Sequence, residues 1–199
     1  MDNSMPVISK IFCSSTLTTL MIRRRPIVVN GGGFVVTDLS NNVVFIVDGC
    51  GMLGSKGELL VKDGDGEEIL FISRKGGIIQ ALSTWNKWNG YSMDYQGKKK
   101  LVFSLSDPKL CITKGAPTRI HIEHKRHCKN WDFEISGSFA DRDCTITDCS
   151  GKIVAQMGKK EQIGCKDFYH VVVQSGCDKA FIIAVMAVLD NIHGESTRC

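Results

Sequence analysis

The chain has 199 residues, 43% hydrophobic and 23% charged, the composition of an ordinary folded soluble protein, with length for a substantial core and for one domain. A formal net charge of +4 permits contact with anionic lipid or nucleic acid without requiring it. Nine cysteines, an odd number with no Cys-x-x-Cys pair, exclude a zinc ribbon or redox dithiol; with no Asn-x-Ser/Thr acceptor and no secretory h-region, they indicate free thiols in a reducing, intracellular compartment.

Residues 1–14 are expected to be a flexible extension, residues 15–194 a single barrel domain, and residues 195–199 a tail. Up to Arg25 the chain is rich in Ser and Thr and has only Asp2 as an acid, a faint likeness to an organelle transit peptide. The simpler reading is a first strand, Thr16 to Met21, followed by a basic turn at Arg23-Arg24-Arg25. After Gly31-Gly32-Gly33 come apolar or alternating runs separated by Gly, Asp, Asn and Ser, the pattern of strands joined by tight turns. The first are Phe34 to Leu39 and Val43 to Val47. Leu59 to Lys62 and Glu68 to Ser73 flank Asp63-Gly64-Asp65-Gly66, whose Asp-Gly pairs suit a hairpin turn with positive φ.

The pattern continues through Ile78 to Thr84, Tyr91 to Tyr95, Leu101 to Leu105, Leu110 to Thr113 and Arg119 to Glu123. In the last of these, Ile120 and Ile122 face inward while Arg119, His121 and Glu123 face out. Trp131 to Ser136, Cys144 to Thr147, Ile153 to Met157 and Phe168 to Val173 complete a set on the order of twelve strands. Gly176 ends the last of them. The sequence then predicts one helix, capped by Asp178 and stopped near Gly194.

That helix carries the fold prediction. Ten consecutive residues, Ala180 to Leu189, leave it no polar face, so Phe181, Ile182, Ile183, Val185, Met186, Val188 and Leu189 are all expected to be buried. The run is too short to span a bilayer, which takes roughly 20 apolar residues. Eight strands enclose room for side chains only, whereas barrels of about eleven can hold a helix. The expected architecture is therefore mainly β: a closed antiparallel barrel of about twelve strands enclosing a hydrophobic C-terminal helix.

Local motifs give little chemistry. Gly49-Cys50-Gly51-Met52-Leu53-Gly54 matches a dinucleotide fingerprint, but a strand rather than a helix follows it. Asp63, Asp65, Glu67 and Glu68 suggest calcium, yet lack flanking helices and a glutamate at the twelfth loop position, and read as a turn. His121, His124, His127 and Cys128 form the best metal-like cluster. Residues three apart on a strand point to opposite faces, so a solvated strand end beside Lys125-Arg126 is preferred. No Gly-x-Ser-x-Gly elbow occurs, and Cys144 and Cys149 read as small core residues. No catalytic residue, metal site or cofactor is assigned, and the protein is expected not to be an enzyme.

Phe34-Val35-Val36-Thr37-Asp38-Leu39, Phe133-Glu134-Ile135-Ser136-Gly137-Ser138-Phe139, Ile153-Val154-Ala155-Gln156-Met157 and Asp178 to Asp190 resemble motifs of the LURP-one-related family of plant proteins. The resemblance runs from about Ser15 to His193 with the segments in family order. It implies a branch of the tubby C-terminal fold, shared with phospholipid scramblases: twelve strands around a hydrophobic helix. It also implies a role in defence or membrane-tethered transcriptional regulation. Tubby proteins hold phosphatidylinositol bisphosphate through basic residues, so the basic clusters Arg23, Arg24, Arg25, Lys98, Lys99, Lys100, Lys159 and Lys160 become head-group candidates by chemistry alone.

The expected partner is thus an anionic phospholipid, a phosphoinositide, or an unidentified protein; no nucleic-acid motif and no transmembrane span are found. Scramblase-type lipid transport and a protein-interaction barrel without lipid binding are the alternatives. The expected location is intracellular: cytoplasmic, at the cytoplasmic face of the plasma membrane, or nuclear.

Overall fold

Twelve short strands hydrogen-bond in sequence order, and the first closes on the last, so the sheet has no free edge. The computed structural model describes residues 6–26, 32–49, 57–76, 84–93, 97–108, 116–123, 131–158 and 168–193. The strands are β1 (Thr18–Arg24), β2 (Gly33–Thr37), β3 (Val43–Asp48), β4 (Glu58–Asp63), β5 (Glu68–Arg74), β6 (Trp85–Met93), β7 (Lys99–Pro108), β8 (Thr118–Ile122), β9 (Phe133–Ser138), β10 (Asp143–Asp148), β11 (Ile153–Gly158) and β12 (Phe168–Val173). Every pairing is antiparallel, including β1 with β12, where Leu20 faces Val171.

Alternation fills the lumen. Leu20 and Ile22, Phe34 and Val36, Phe45 and Val47, Leu59 and Val61, and Leu70 and Ile72 point inward in pairs along β1 to β5, each essentially without solvent contact. The helix α1 (Lys179–His193) runs through this lumen, and Ala180 to Asp190 are all buried. Phe181 touches the rings of Phe103 on β7 and Phe133 on β9, with centroids 5.6 and 5.0 Å away. Other residues of α1 contact β3, β4 and β5, so the wall surrounds the helix. Gly90 makes room for this packing, because a Cβ there would lie 2.2 Å from the Phe103 ring.

Asp178 caps the helix as expected, accepting from the Phe181 amide at 3.2 Å. Its other oxygen accepts from the amides of Ile8 and Ser9 at 2.7 and 3.0 Å. A 3-10 turn, Lys10–Phe12, follows, and Phe12 stacks against Phe45 with centroids 5.7 Å apart. Within the stretch expected to be a flexible extension, Val7 to Cys13 are therefore laid against the barrel. A carboxylate on the helix cap, out of register with any sequence motif, supplies the anchor. Burial pushes the Asp178 carboxyl up, against the four backbone hydrogen bonds that lower it.

Strand boundaries shift by a few residues along the chain, and two of the shifts bear on the site. The ladder between β6 and β7 runs from Trp85 opposite Pro108 to Met93 opposite Lys99, so β6 begins six residues before the expected Tyr91. Polar Asn86, Lys87 and Asn89 had hidden its apolar phase. The first strand extends past Met21 to Arg24, which places Arg23 and Arg24 in the sheet rather than in a turn. The strands expected at Ile78 to Thr84 and Leu110 to Thr113 fall almost wholly outside the described residues, as does Gly194; Thr84 itself is a bend.

Candidate functional site

An up-and-down barrel has two mouths, and strand parity assigns each turn to one of them. The helix-start mouth carries the β2–β3, β4–β5, β6–β7, β8–β9 and β10–β11 connections and the segment before β1; the helix-end mouth carries the other six. This parity separates the expected basic clusters. Arg23, Arg24 and Arg25 end β1 at the helix-end mouth, while Lys98, Lys99 and Lys100 open β7 at the helix-start mouth. Lys159 and Lys160 lie outside the described residues. No single surface at either mouth collects all of these cations.

The arginines are also largely committed inward. Leu20, Ile22 and Arg24 share one phase of β1, so Arg24 points into the lumen, where its Nε and NH2 donate to Asp190 Oδ1 at 3.1 and 2.6 Å. Asp190 has no solvent contact and the Arg24 side chain is only 13% exposed, so this ion pair is buried. Arg25 donates to the carbonyls of Gly32 and Val47 and to Asp48, at 3.1, 2.7 and 2.5 Å. Lys62 reaches the other Asp48 oxygen at 2.9 Å. Only Arg23 of the three is exposed.

Burial alone would raise the Asp48 carboxyl, but hydrogen bonds from Arg25 and Lys62, and then their charges, hold it below its ordinary value. A depressed folded-state pKa stabilises the fold above the unfolded value of 3.8 and is lost as pH falls through the folded value. Asp48→Asn is therefore expected to flatten the acid limb of a plot of urea midpoint against pH below about pH 4, measured by fluorescence. An unchanged acid limb would show that Asp48 does not govern acid stability.

The lysines are differently placed. Lys98, Lys99 and Lys100 are exposed, and the Lys99 ammonium sits 3.5 Å above the centre of the Phe71 ring. Around the same mouth stand Ile11 (80% exposed), Leu17, Leu39 (72% exposed), Val43, Met93 and Ile153. Among the described large hydrophobics that are exposed, Phe168 alone belongs to the other mouth. Between Val43 and the lysines, the β4–β5 turn carries Asp63, Asp65, Glu67 and Glu68, so the positive field is local to β7. The Asp63 carboxylate that suggested calcium is spent on its own turn, accepting from the Asp65 and Glu67 amides at 3.0 and 2.9 Å. Asp38 and Asp148 close their hairpins in the same way.

The helix-end mouth holds a half-open cavity of about 340 Å³. Asp107, Thr118 and His193 line it on the polar side, and Phe139, Cys144 and Leu189 on the apolar side. Asp107 is 4% exposed and accepts from Thr118 Oγ1 at 2.6 Å. Burial first, with Asp143 adding to it, pushes the Cys144 thiol up to about 12, so it is a poor nucleophile and fits the core role expected of it. Sequence reading missed this cavity because Asp107 and His193 are 86 residues apart and share no motif. His124, His127 and Cys128, and residues 50–54 of the glycine-rich stretch, lie outside the described residues.

The model of the LURP-one-related family matches residues 18–190 of the chain, from β1 into the last turns of α1. The chain belongs to the LURP-one-related family. It is 52% identical to LURP-one-related 6 of Arabidopsis thaliana, over 97% of this chain and 98% of that protein. To LURP-one-related 16 of the same plant it is 46% identical, over 98% of this chain and 95% of the relative. An X-ray structure of another Arabidopsis thaliana protein shares the fold with a TM-score of 0.68 at 23% identity, covering 94% of this chain and 97% of that one. This LURP-one-related chain thus has the barrel and threaded helix expected from its sequence. Among the described residues, no helix is long and apolar enough to cross a membrane.

Proposed function

We propose that this LURP-one-related barrel is a non-enzymatic binding module of plant signalling or defence, which docks its helix-start mouth on an anionic membrane and holds a phosphoinositide head group there. The observation that carries the reading is the company kept by Lys98, Lys99 and Lys100: the protruding apolar side chains Ile11, Leu17, Leu39, Val43 and Met93 stand at the same mouth. Apolar side chains that enter the acyl boundary, with cations at head-group depth, are what interfacial binding requires. Lys10, exposed beside Ile11, adds a further charge. The scramblase-type alternative asks α1 to leave a lumen in which Ala180 to Asp190 are fully packed, which would expose a large apolar interior.

Co-sedimentation with neutral vesicles and with vesicles containing phosphatidylinositol bisphosphate, at low and physiological salt, tests this. Selective binding is expected, and Lys98→Gln, Lys99→Gln, Lys100→Gln together should weaken it by about a hundredfold, at about 1 kcal/mol per surface charge. Leu39→Ser should weaken binding even at high salt, where the Coulombic share is screened. Unchanged binding in the triple variant removes those lysines from the reading. Absence of binding to either vesicle shifts the function to protein recognition, and flipping of labelled lipid in reconstituted vesicles would favour transport.

A further inference from the structure

We infer that the cavity at the helix-end mouth is a binding site for a small organic amine: an ammonium group held by Asp107, joined to a compact apolar body. This rests on the opposite mouth from the membrane reading and stands or falls separately. At about 340 Å³ the cavity lies at the small end of the range for ligand sites. Its floor is apolar, formed by Ile135, Phe139 and Leu189, which are 7, 5 and 2% exposed. Its polar side is formed by Asp107, Thr118, Ser136 and His193, of which Asp107 is the one carboxylate and His193 the one group that becomes cationic, when protonated. Asp107 Oδ1 takes the Thr118 hydroxyl, and His193 Nε2 stands 3.9 Å from that same oxygen, beyond hydrogen-bond reach. Among the described residues no hydrogen bond is made to the second oxygen, Oδ2.

The charge of the site selects the ligand class. A carboxylate that is 4% exposed disfavours an anion, and the last turn of α1 adds its negative dipole end at the same mouth. A neutral ligand that displaced water from Oδ2 without a donor would leave a buried acceptor unpaired. A compact ammonium satisfies both demands, because it brings donors and the opposite charge. The apolar body then lies on the Phe139 ring and Leu189. Cys144, although it lines the cavity, is held as a neutral thiol by burial, so the site binds without covalent chemistry.

The test is titration of the full chain, carrying isotope-labelled Ile and Leu methyl groups, with phenethylamine, followed by NMR. Saturable shifts are expected at the Ile135 and Leu189 methyls, while methyls at the far mouth, such as Leu39, stay unmoved. Phenylethanol and phenylacetate, which keep the ring and replace the ammonium, should bind at least about tenfold more weakly. Asp107→Asn keeps an acceptor for Thr118 and should lose about tenfold in phenethylamine affinity. The assignment is overturned if the two methyls do not shift up to about 10 mM amine, a concentration that detects even millimolar affinity. It is equally overturned if the alcohol binds as well as the amine on the parent protein, a comparison that does not depend on any variant folding.

Discussion

Ile183→Asp is expected to yield no folded protein. Ile183 sits near the middle of α1 with no solvent contact, walled by apolar side chains from the barrel on every side. The substitution removes about 2–3 kcal/mol of apolar burial. It also places in the lumen a charge whose effective desolvation cost is several kcal/mol, or a protonated acid lacking a partner. Together these approach the whole stability of an ordinary domain, roughly 5–15 kcal/mol. The control is Ile183→Val, which deletes one methylene at the same point and should cost about 1 kcal/mol. Soluble yield and near-ultraviolet circular dichroism distinguish the outcomes. A soluble Ile183→Asp protein with a cooperative unfolding transition would overturn the threaded helix, because only a helix with a face toward water could accept the change.

Asp190→Ala should destabilise the barrel by about 3–5 kcal/mol, since it strands the Arg24 guanidinium at the end of the lumen. The ion pair is not itself a strong net contributor, because both charges were taken out of water to form it. Replacing both partners, Arg24→Leu with Asp190→Leu, is therefore expected to recover most of the loss. Urea midpoints of the two single variants and the double variant give the coupling energy directly. Equal midpoints for Asp190→Ala and the parent would mean that water reaches Arg24 freely. The pair ties the end of β1 to the last turn of the helix. At the other end Asp178 holds the helix start against Ile8 and Ser9.

The fold was legible because its signals are local and repeated. Period-two alternation in segments such as Arg119 to Glu123, together with a helix that had no polar face, leaves few arrangements that hide every apolar side chain. Strand limits were read less well where the inward face was interrupted, as in β6, whose Asn86, Lys87 and Asn89 break the apolar phase while the ladder to β7 continues. Arg24 is the more instructive case. It lies in phase with Leu20 and Ile22, and that phase alone directed it inward; its neighbours Arg23 and Arg25 made the three read as one exposed cluster.

The candidate sites were legible only as lists of residue types. Sequence marked Lys98, Lys99 and Lys100 as cations but could not say which mouth they occupy, nor that Leu39, Val43 and Ile11 stand there with them. The parity of the strands decides that, and parity depends on every turn between. The cavity around Asp107 was invisible, because it assembles β7, β8, β9, β10 and the helix end across long separations.

Alternation, and ten apolar residues with no side left for water, already imply a closed barrel around a buried helix. Which charges are available to a partner follows only from the packing of the folded chain. A charge has the same letter in the chain whether it meets solvent, as Lys100 does, or a buried carboxylate, as Arg24 does, and only the packed neighbours set its solvation.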